Sequence, residues 1–231
     1  MSNRVLLFCG GFSPLGGVET FSSRLAAGLK GHGWEVELLC WDTRSELLAA
    51  LAKRGVKINS IPFRWGCRWG LPDRALAVYG RKSIERADAV IFPKEPSENI
   101  AIQLARRLRT SAIRKPLLLV TAYRPAELWK SAPSRAYWDI WSEIWVQSPP
   151  FATDLQRLGY AGKVVTLPYI ALPNVAIRSL PELQPFKIGF LGRLVQDKDP
   201  ILLLRAFNRV ACLRNAELHF FGEGPLATEI K

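Results

Sequence analysis

Short apolar runs rich in valine, isoleucine and leucine alternate along this chain with amphipathic segments of helix length. The predicted strands are residues 4–9, 34–41, 56–61, 87–92, 116–121, 143–147 and 164–167. The predicted helices between them are residues 18–30, 46–54, 72–86, 97–108, 126–141 and 150–158. Strands with consecutive apolar residues are typical of a parallel sheet covered on both faces. The pattern predicts a doubly wound, Rossmann-like α/β domain that binds ligands at the carboxyl ends of its strands.

A proline-rich stretch interrupts this alternation. Residues 168–185 contain Pro168, Pro173, Pro181 and Pro185, too many for a helix or a central strand. We interpret the stretch as a linker between a first domain, residues 1–167, and a second region, residues 186–231.

The alternation then restarts with a strand at 186–191, a helix at 201–213, a strand at 217–221 and the start of another helix. A single strand-helix-strand unit leaves both faces of its sheet partly uncovered. We therefore expect residues 186–231 to be the first part of a second Rossmann-like domain.

The charge balance favours anionic partners. The chain has 32 lysines and arginines against 20 acidic residues, a net charge of +12. Because the basic residues are spread along the chain, with no compact basic arm, we expect no nucleic-acid partner. Peripheral contact with an anionic membrane stays open. Residues 64–69 (RWGCRW) are a candidate segment for contact with a lipid or a glycan, with an ordinary exposed loop as the alternative.

Cysteine and histidine usage indicates neither a metal site nor a disulfide framework. The four cysteines form no C-x-x-C pair, and the chain has two histidines, His32 and His219, which we interpret as structural. No apolar run approaches the roughly 18 residues that a membrane span requires. We expect no signal peptide, no bound cofactor or metal, and a cytoplasmic location, at most peripheral at the inner face of a membrane.

A glycine-rich loop at residues 10–17 follows the first predicted strand and opens the first predicted helix. Such a turn lets backbone N–H groups approach a phosphate or a sugar, and the helix dipole favours negative charge there. The loop has neither the G-x-G-x-x-G spacing nor a G-K-[ST] ending. A plain turn that joins strand to helix is the alternative.

Two further loops follow strands of the second region. The first places Arg193 and Lys198 beside a predicted helix start, where two cations suit a diphosphate, although two solvated charges would look the same. The second carries Gly222 and Gly224 at the corresponding place one strand later. Together the loops predict an anion site at the ends of two neighbouring strands.

These motifs together resemble those of a known family. They are the G-G-x-E of Gly16, Gly17 and Glu19, the G-R-L-V-x-x-K of residues 192–198, the A-F of residues 206–207, and the G-x-G-P of residues 222–225. In this order they resemble the group 1 (family 4) glycosyltransferases, retaining enzymes of the GT-B fold with two Rossmann-like domains.

The resemblance implies a role for each matching residue. Gly16 and Gly17 would face the donor phosphates and the acceptor across the cleft between the domains. Arg193 and Lys198 would neutralise the diphosphate in place of a metal ion. Gly222 and Gly224 would lie near the nucleotide. The reaction would transfer a sugar from a nucleotide-sugar donor to a hydroxyl of a glycan or lipid-linked acceptor, with retention.

The sequence departs from the family pattern at two places, and we assign no catalytic residue. Where the family often has a histidine after its fifth strand, this chain reads Thr121-Ala122-Tyr123-Arg124, so Tyr123 or Arg124, with Glu19, are candidate acceptor contacts. The family's E-x7-E element, which holds the donor, has no counterpart within residues 1–231. The alternative function is therefore a catalytically inactive remnant that acts at most as a binding module.

Tryptophans cluster in one part of the sequence. They are Trp129, Trp138, Trp141 and Trp145, of which Trp138 and Trp141 share one face of the predicted helix 126–141. We interpret them as an aromatic core beneath the sheet. A sugar-stacking or membrane-facing surface is the alternative.

Overall fold

A computed structural model gives the fold of the chain. It describes residues 3–10, 12, 16–42, 46–62, 79–98, 101–102, 105–106, 116–121, 124–129, 131–167, 185–210 and 215–230. The chain divides into two compact units, Met1–Ala171 and Leu172–Lys231. Of the predicted linker, only Pro185 lies within the described residues, and the segment 64–69 and Tyr123 lie outside them.

A seven-stranded parallel sheet forms the centre of the first unit. Its strands are β1 (Arg4–Gly10), β2 (Glu35–Asp42), β3 (Lys57–Pro62), β4 (Ala89–Phe92), β5 (Leu117–Val120), β6 (Glu143–Val146) and β7 (Lys163–Thr166). They are arranged in the order β3-β2-β1-β4-β5-β6-β7. Each predicted strand is present, and the doubly wound α/β fold is confirmed.

Burial on both faces explains why these strands carry apolar residues in succession. The five residues from Val5 to Cys9 in β1 are all buried. Alternate positions enter two different clusters, with Leu6 and Phe8 on one face and Val5 and Leu7 on the other. Each face therefore needs its own covering layer of helices.

Helices of the first unit supply those layers. They are α1 (Gly17–Gly31), α2 (Glu46–Lys53), α3 (Arg81–Arg86), α4 (Pro125–Leu128), α5 (Arg135–Trp138) and α6 (Pro149–Arg157). Phe21, Leu25 and Ala26 of α1, with Leu48 and Leu51 of α2, enter the cluster that contains Val5 and Leu7. Of the predicted helix 72–86, residues 72–78 lie outside the described part. Of the predicted helix 97–108, the described residues 98, 101–102 and 105–106 are helical.

The predicted helix 126–141 is wrong as one element. The structure has two short helices there, α4 and α5, separated by non-helical residues that include Pro133. Proline cannot donate a backbone hydrogen bond, and its ring clashes with the preceding turn of a helix. Ser134 then starts α5 as its N-cap, accepting a hydrogen bond from the backbone N–H of Tyr137.

The tryptophans of this region belong to the core, although Trp141 lies beyond the end of α5 and shares no helix face with Trp138. Both are buried, and the rings of Trp141 and Phe92 lie 5.3 Å apart in an edge-to-face contact. Trp129 contacts Trp138 in the same way at 5.3 Å. Such contacts stabilise a core, as the core interpretation predicted.

The second unit contains a two-stranded parallel sheet. Its elements are β8 (Phe186–Leu191), a 3₁₀ turn (Gln196–Lys198), α7 (Pro200–Arg209), β9 (Ala216–Phe221) and α8 (Ala227–Ile230). The predicted helix 201–213 is wrong at its end, since α7 ends at Arg209 and Val210 is not helical. Residues 211–214 lie outside the described part. Leu191 and Phe221 are 88% and 57% exposed, so this small sheet keeps apolar surface in contact with water.

No helix within the described ranges has the length and apolar character needed to cross a membrane.

Candidate functional site

The strand order of the first unit defines where a ligand is expected. The chain winds from β1 outward to β3 in one direction, then returns to place β4 on the other side of β1. The carboxyl ends of β1 and β4 therefore flank the switch point, where the connections leave in opposite directions and open a crevice.

A small cavity of about 90 Å³ lies at this switch point. Its lining comes from Phe8, Cys9 and Gly10 at the end of β1 and from residues that follow β4. Gly10 has a φ of +66°, and it stands where the pairing register between β1 and β2 shifts. A residue with a side chain would be strained there, so glycine lets β1 turn toward the loop that leads to α1.

Lys94 and Glu95 supply the charge of this cavity, and both were missed from the sequence. They follow β4 in the turn Phe92-Pro93-Lys94-Glu95-Pro96, with Lys94 exposed and Glu95 half-buried. A cation and a carboxylate side by side can hold an anionic or hydroxylated ligand. The signal that would have identified them is their place directly after a buried strand beside β1.

Gly16 and Gly17 lie at the start of α1, as the glycine loop predicted. Gly16 is the N-cap, has no side-chain cap, and accepts hydrogen bonds from the backbone N–H and the hydroxyl of Thr20, both at 3.0 Å. A β-carbon on Gly16 would overlap the carboxylate of Glu19. Glu19 thus folds back over the first turn, where its negative charge complements the helix dipole.

Cys9, at the end of β1, has a buried thiol. Burial raises the pKa of the Cys9 thiol well above its ordinary value, with further increases from Cys40 and Glu19. A neutral, buried thiol is a small apolar group and a weak nucleophile. Cys9 therefore shapes the cavity wall.

Two residues that follow β5 have different surroundings: Thr121 has a buried hydroxyl, and Arg124 forms an ion pair. Thr121 is fully buried, and its side-chain oxygen makes no hydrogen bond to any residue that the structure describes. Arg124 donates from Nε to Oδ2 of Asp154 at 2.9 Å, and the Asp154 side chain is only 4% exposed. Arg124, predicted as a candidate acceptor contact, thus also neutralises a buried carboxylate of α6.

In the second unit, the two predicted loops lie against each other. Backbone hydrogen bonds join Gly192 N–H to the Phe221 carbonyl at 3.0 Å and Leu194 N–H to the Glu223 carbonyl at 2.9 Å. A β-carbon on Gly222 would overlap the Gly192 carbonyl. The close approach of the two loops therefore favours glycine at this position, whether or not a ligand binds there. The pairing continues the β8–β9 ladder beyond the strands.

Arg193 and Lys198 are both exposed beside these paired loops. The ion pairs found in the described part of this unit join Lys187 and His219 to Glu217, and neither Arg193 nor Lys198 takes part in one. Two exposed cations that form no ion pair with a described residue suit a diphosphate.

The helix start behind these cations is already occupied. Asp199 adopts a left-handed conformation with φ of +43° and accepts a hydrogen bond from Leu202 N–H at 3.2 Å. This N-cap occupies one of the free N–H groups that an anion would otherwise use. Anion affinity in this loop therefore depends on the side chains of Arg193 and Lys198 more than on the helix dipole.

Among the residues that the structure covers, no group of three or more His, Cys, Asp and Glu side chains is placed to hold a metal ion.

Comparison with known proteins places these features in a family. The model of the glycosyl transferase 4-like domain matches residues 16–169, well over half of the chain. None of the curated proteins compared with the chain matches its sequence significantly.

Two solved structures have a similar fold. The lipopolysaccharide outer core galactosyltransferase WaaB, in its apo form, is 16% identical with a TM-score of 0.62, over 98% of this chain and 63% of WaaB. HepE of Anabaena, in complex with UDP and glucose, is 14% identical with a TM-score of 0.65, over 97% of this chain and 62% of HepE. The chain thus spans less than two thirds of either structure.

The topology and these likenesses define an α/β protein of the GT-B glycosyltransferase fold. The chain belongs to the family of glycosyl transferase 4-like domains. The resemblance to group 1 glycosyltransferases, inferred from the motifs, is thereby confirmed.

Proposed function

We propose that this chain takes part in transferring a sugar, with retention, from a nucleotide-sugar donor to a hydroxyl of a glycan or lipid-linked acceptor. The observation that carries the proposal is the pair of exposed cations, Arg193 and Lys198, beside two loops joined backbone to backbone at the ends of β8 and β9. The complex of HepE with UDP and glucose supports a nucleotide-sugar as the donor.

In this proposal the two cations act on the leaving group. When the bond between the anomeric carbon and the diphosphate oxygen breaks, negative charge develops on the diphosphate. Arg193 and Lys198 would stabilise that charge in place of a metal ion. Gly222 and Gly224, which have no side chains, would let the nucleotide approach the backbone of the second loop. The acceptor oxygen then forms the new bond to the anomeric carbon, and its hydroxyl proton passes to the departing diphosphate.

The switch-point cavity of the first unit is the proposed acceptor side. Glu19, Lys94 and Glu95 are ionisable groups near the carboxyl ends of β1 and β4, and Gly16 and Gly17, the proposed donor-phosphate contacts, lie at the start of α1 beside Glu19. Arg124 has a side chain that is 48% exposed and can contact a ligand while it remains paired with Asp154. Tyr123, next to it in sequence, stays a candidate acceptor contact.

The first test is calorimetric titration of the purified chain with UDP-, GDP- and ADP-sugars, followed by analysis of transferred product. Arg193→Ala and Lys198→Ala should each weaken donor binding about tenfold or more, because each loses a charge-assisted contact. Arg205→Ala on α7 is the matched control, since Arg205 is an exposed arginine of the same unit outside the loop. Equal affinity in Arg193→Ala and wild type would remove the diphosphate role.

The second candidate function is a catalytically inactive binding module. The observation that favours it is that both helix starts next to the glycine loops already carry a carboxylate of their own, Glu19 on α1 and Asp199 on α7. Those charges oppose a donor diphosphate at both places. A folded chain that binds an acceptor glycan but none of the nucleotide-sugars would support this candidate.

A further inference from the structure

A second cavity of the first unit, lined by charged residues, lies at the end of the sheet opposite to the switch point. It has a volume of about 450 Å³ and opens at the amino-terminal edge of β1, β2 and β3. The end of α1 and the end of α3 complete its lining. A volume of this size is within the range of small-molecule sites.

Both carboxylates in the lining are already neutralised. Glu35 accepts from Arg4 Nε at 2.8 Å. Glu37, whose side chain is 17% exposed, accepts from Lys57 Nζ at 3.1 Å and from the buried Ser83 hydroxyl at 2.5 Å. This network fixes the acids at one wall of the cavity.

Two further cations in the lining, Lys30 and Arg86, are in neither of these pairs. No ion pair to a described residue engages them. Lys30 is partly buried, and its side chain runs along the backbone at Gly55, where a β-carbon would lie 3.2 Å from its Cε atom. A nearby carboxylate, Asp88, accepts from the Arg4 backbone N–H at 2.8 Å and does not line the cavity.

Among the residues that the structure describes, the lining thus has four cations, Arg4, Lys30, Lys57 and Arg86, against two carboxylates, Glu35 and Glu37. A recess lined by an excess of positive charge concentrates the electric field and attracts anions. An arginine fork and a lysine ammonium together match the oxygens of a phosphate group. We propose that this cavity binds a phosphate-bearing small molecule through Lys30 and Arg86, at a site separate from the proposed transfer site.

The test measures inorganic diphosphate binding by calorimetry at low ionic strength, without metal ions. Lys30→Ala/Arg86→Ala should weaken diphosphate binding about tenfold, because two charge-assisted contacts are lost. Lys53→Ala/Arg54→Ala is the matched control, since both side chains are exposed in the same unit and neither lines the cavity. We expect it to change the affinity by less than about twofold.

A second pair of variants separates this site from the proposed donor site. In Arg193→Ala/Lys198→Ala, diphosphate binding that depends on Lys30 and Arg86 should persist, whether or not the proposed function holds. Unchanged affinity in a folded Lys30→Ala/Arg86→Ala variant would overturn the inference. An equal loss in the Lys53→Ala/Arg54→Ala control would also overturn it, since the binding would then follow net charge.

The phosphate group could come from a soluble molecule or from a lipid headgroup. Vesicles of phosphatidylcholine, with and without phosphatidylglycerol, distinguish these sources. Binding only to the anionic vesicles, reduced by Lys30→Ala/Arg86→Ala and by added diphosphate, would support a headgroup as the ligand. Diphosphate binding that requires Lys30 and Arg86, without binding to either vesicle, would support a soluble ligand.

Discussion

A buried carboxylate makes Arg124 a stabilising residue whatever its part in acceptor binding. Asp154 is almost fully buried and pairs with Arg124, which spans from the residues after β5 to α6. Removing the arginine leaves a buried charge without this partner. We expect Arg124→Ala to lower the free energy of unfolding by about 1–3 kcal/mol, measured by urea denaturation.

Another ion pair of the same unit provides the control for that prediction. Arg135 and Asp139 are 3.8 Å apart on the surface, and the Arg135 side chain is 93% exposed. Exposed pairs contribute little, so Arg135→Ala should change stability by less than about 1 kcal/mol. Equal losses of stability in Arg124→Ala and Arg135→Ala would contradict the prediction that the pair with a buried carboxylate contributes more than the exposed pair.

Tyr160 predicts a specific response to alkaline pH. Burial raises the pKa of Tyr160 from 10.0 to about 12, and the charge of Glu143 adds to the increase. Because the folded state holds the neutral phenol, this contribution to stability is complete below pH 10 and is lost as the pH rises toward about 12. Tyr160→Phe should therefore show a shallower loss of stability over that range.

The measurement compares urea midpoints of wild type and Tyr160→Phe at about pH 9 and at about pH 11. Tyr137 also has a pKa raised by burial and remains in the variant, so part of the alkaline loss should persist. An identical pH dependence in the two proteins would show that Tyr160 ionises without linkage to folding.

At the residue scale, the sequence analysis singled out candidate residues that motifs mark and missed candidates that only topology reveals. The helix start at Gly16 and the cations Arg193 and Lys198 lie in recognisable glycine loops. Lys94 and Glu95 lie in no motif, and they reach the switch point because β4 is placed beside β1. Strand order depends on packing between distant segments, which a local pattern does not encode.

Among the elements, the paired loops of the second unit predict where glycine is indispensable. A β-carbon on Gly224 would overlap the Leu194 carbonyl, which already accepts a hydrogen bond from Leu226 N–H at 3.1 Å. Gly224→Ala should separate the loops and destabilise this unit by about 1–3 kcal/mol. Limited proteolysis, with cleavage sites mapped by mass spectrometry, should show faster cutting within residues 186–231.

Gly189→Ala is the matched control for that substitution. Its β-carbon would meet the Phe221 ring at 3.5 Å, an ordinary contact, and alanine restricts the unfolded chain more than glycine does. We expect Gly189→Ala to be cut no faster than wild type. Similar protection of Gly224→Ala and Gly189→Ala would mean that the loops tolerate a side chain.

The helix 126–141 shows how a local pattern fails at the scale of an element. Trp138 and Trp141 have helical spacing, but they enter the core from a short helix and from the turn after it. Apolar residues around a bend can reach one core as well as those along a helix. Pro133 and the capping residue Ser134 were the signals of the break, and the apolar spacing outweighed them in our prediction.

For the whole molecule, the predictable part was the doubly wound class, because consecutive buried residues in strands such as β1 require a covered parallel sheet.

The two units of the chain differ in how much apolar surface they bury, and this difference affects stability. The first unit encloses two apolar clusters, one on each face of its sheet. In the described part of the second unit, Leu194 is the buried apolar residue of the core, with Pro200 at the start of α7.

This imbalance predicts that the second unit unfolds first, in lower denaturant than the first. Apolar burial is the main stabilising contribution, and the second unit has little of it. The chain contains its own reporter, because all eight tryptophans lie between residues 34 and 145, in the first unit. Tryptophan fluorescence should therefore follow the first unit alone, while far-ultraviolet circular dichroism follows both. We expect the dichroism signal to begin its loss at lower urea concentration than the fluorescence, whereas coincident transitions would show that the two units unfold as one.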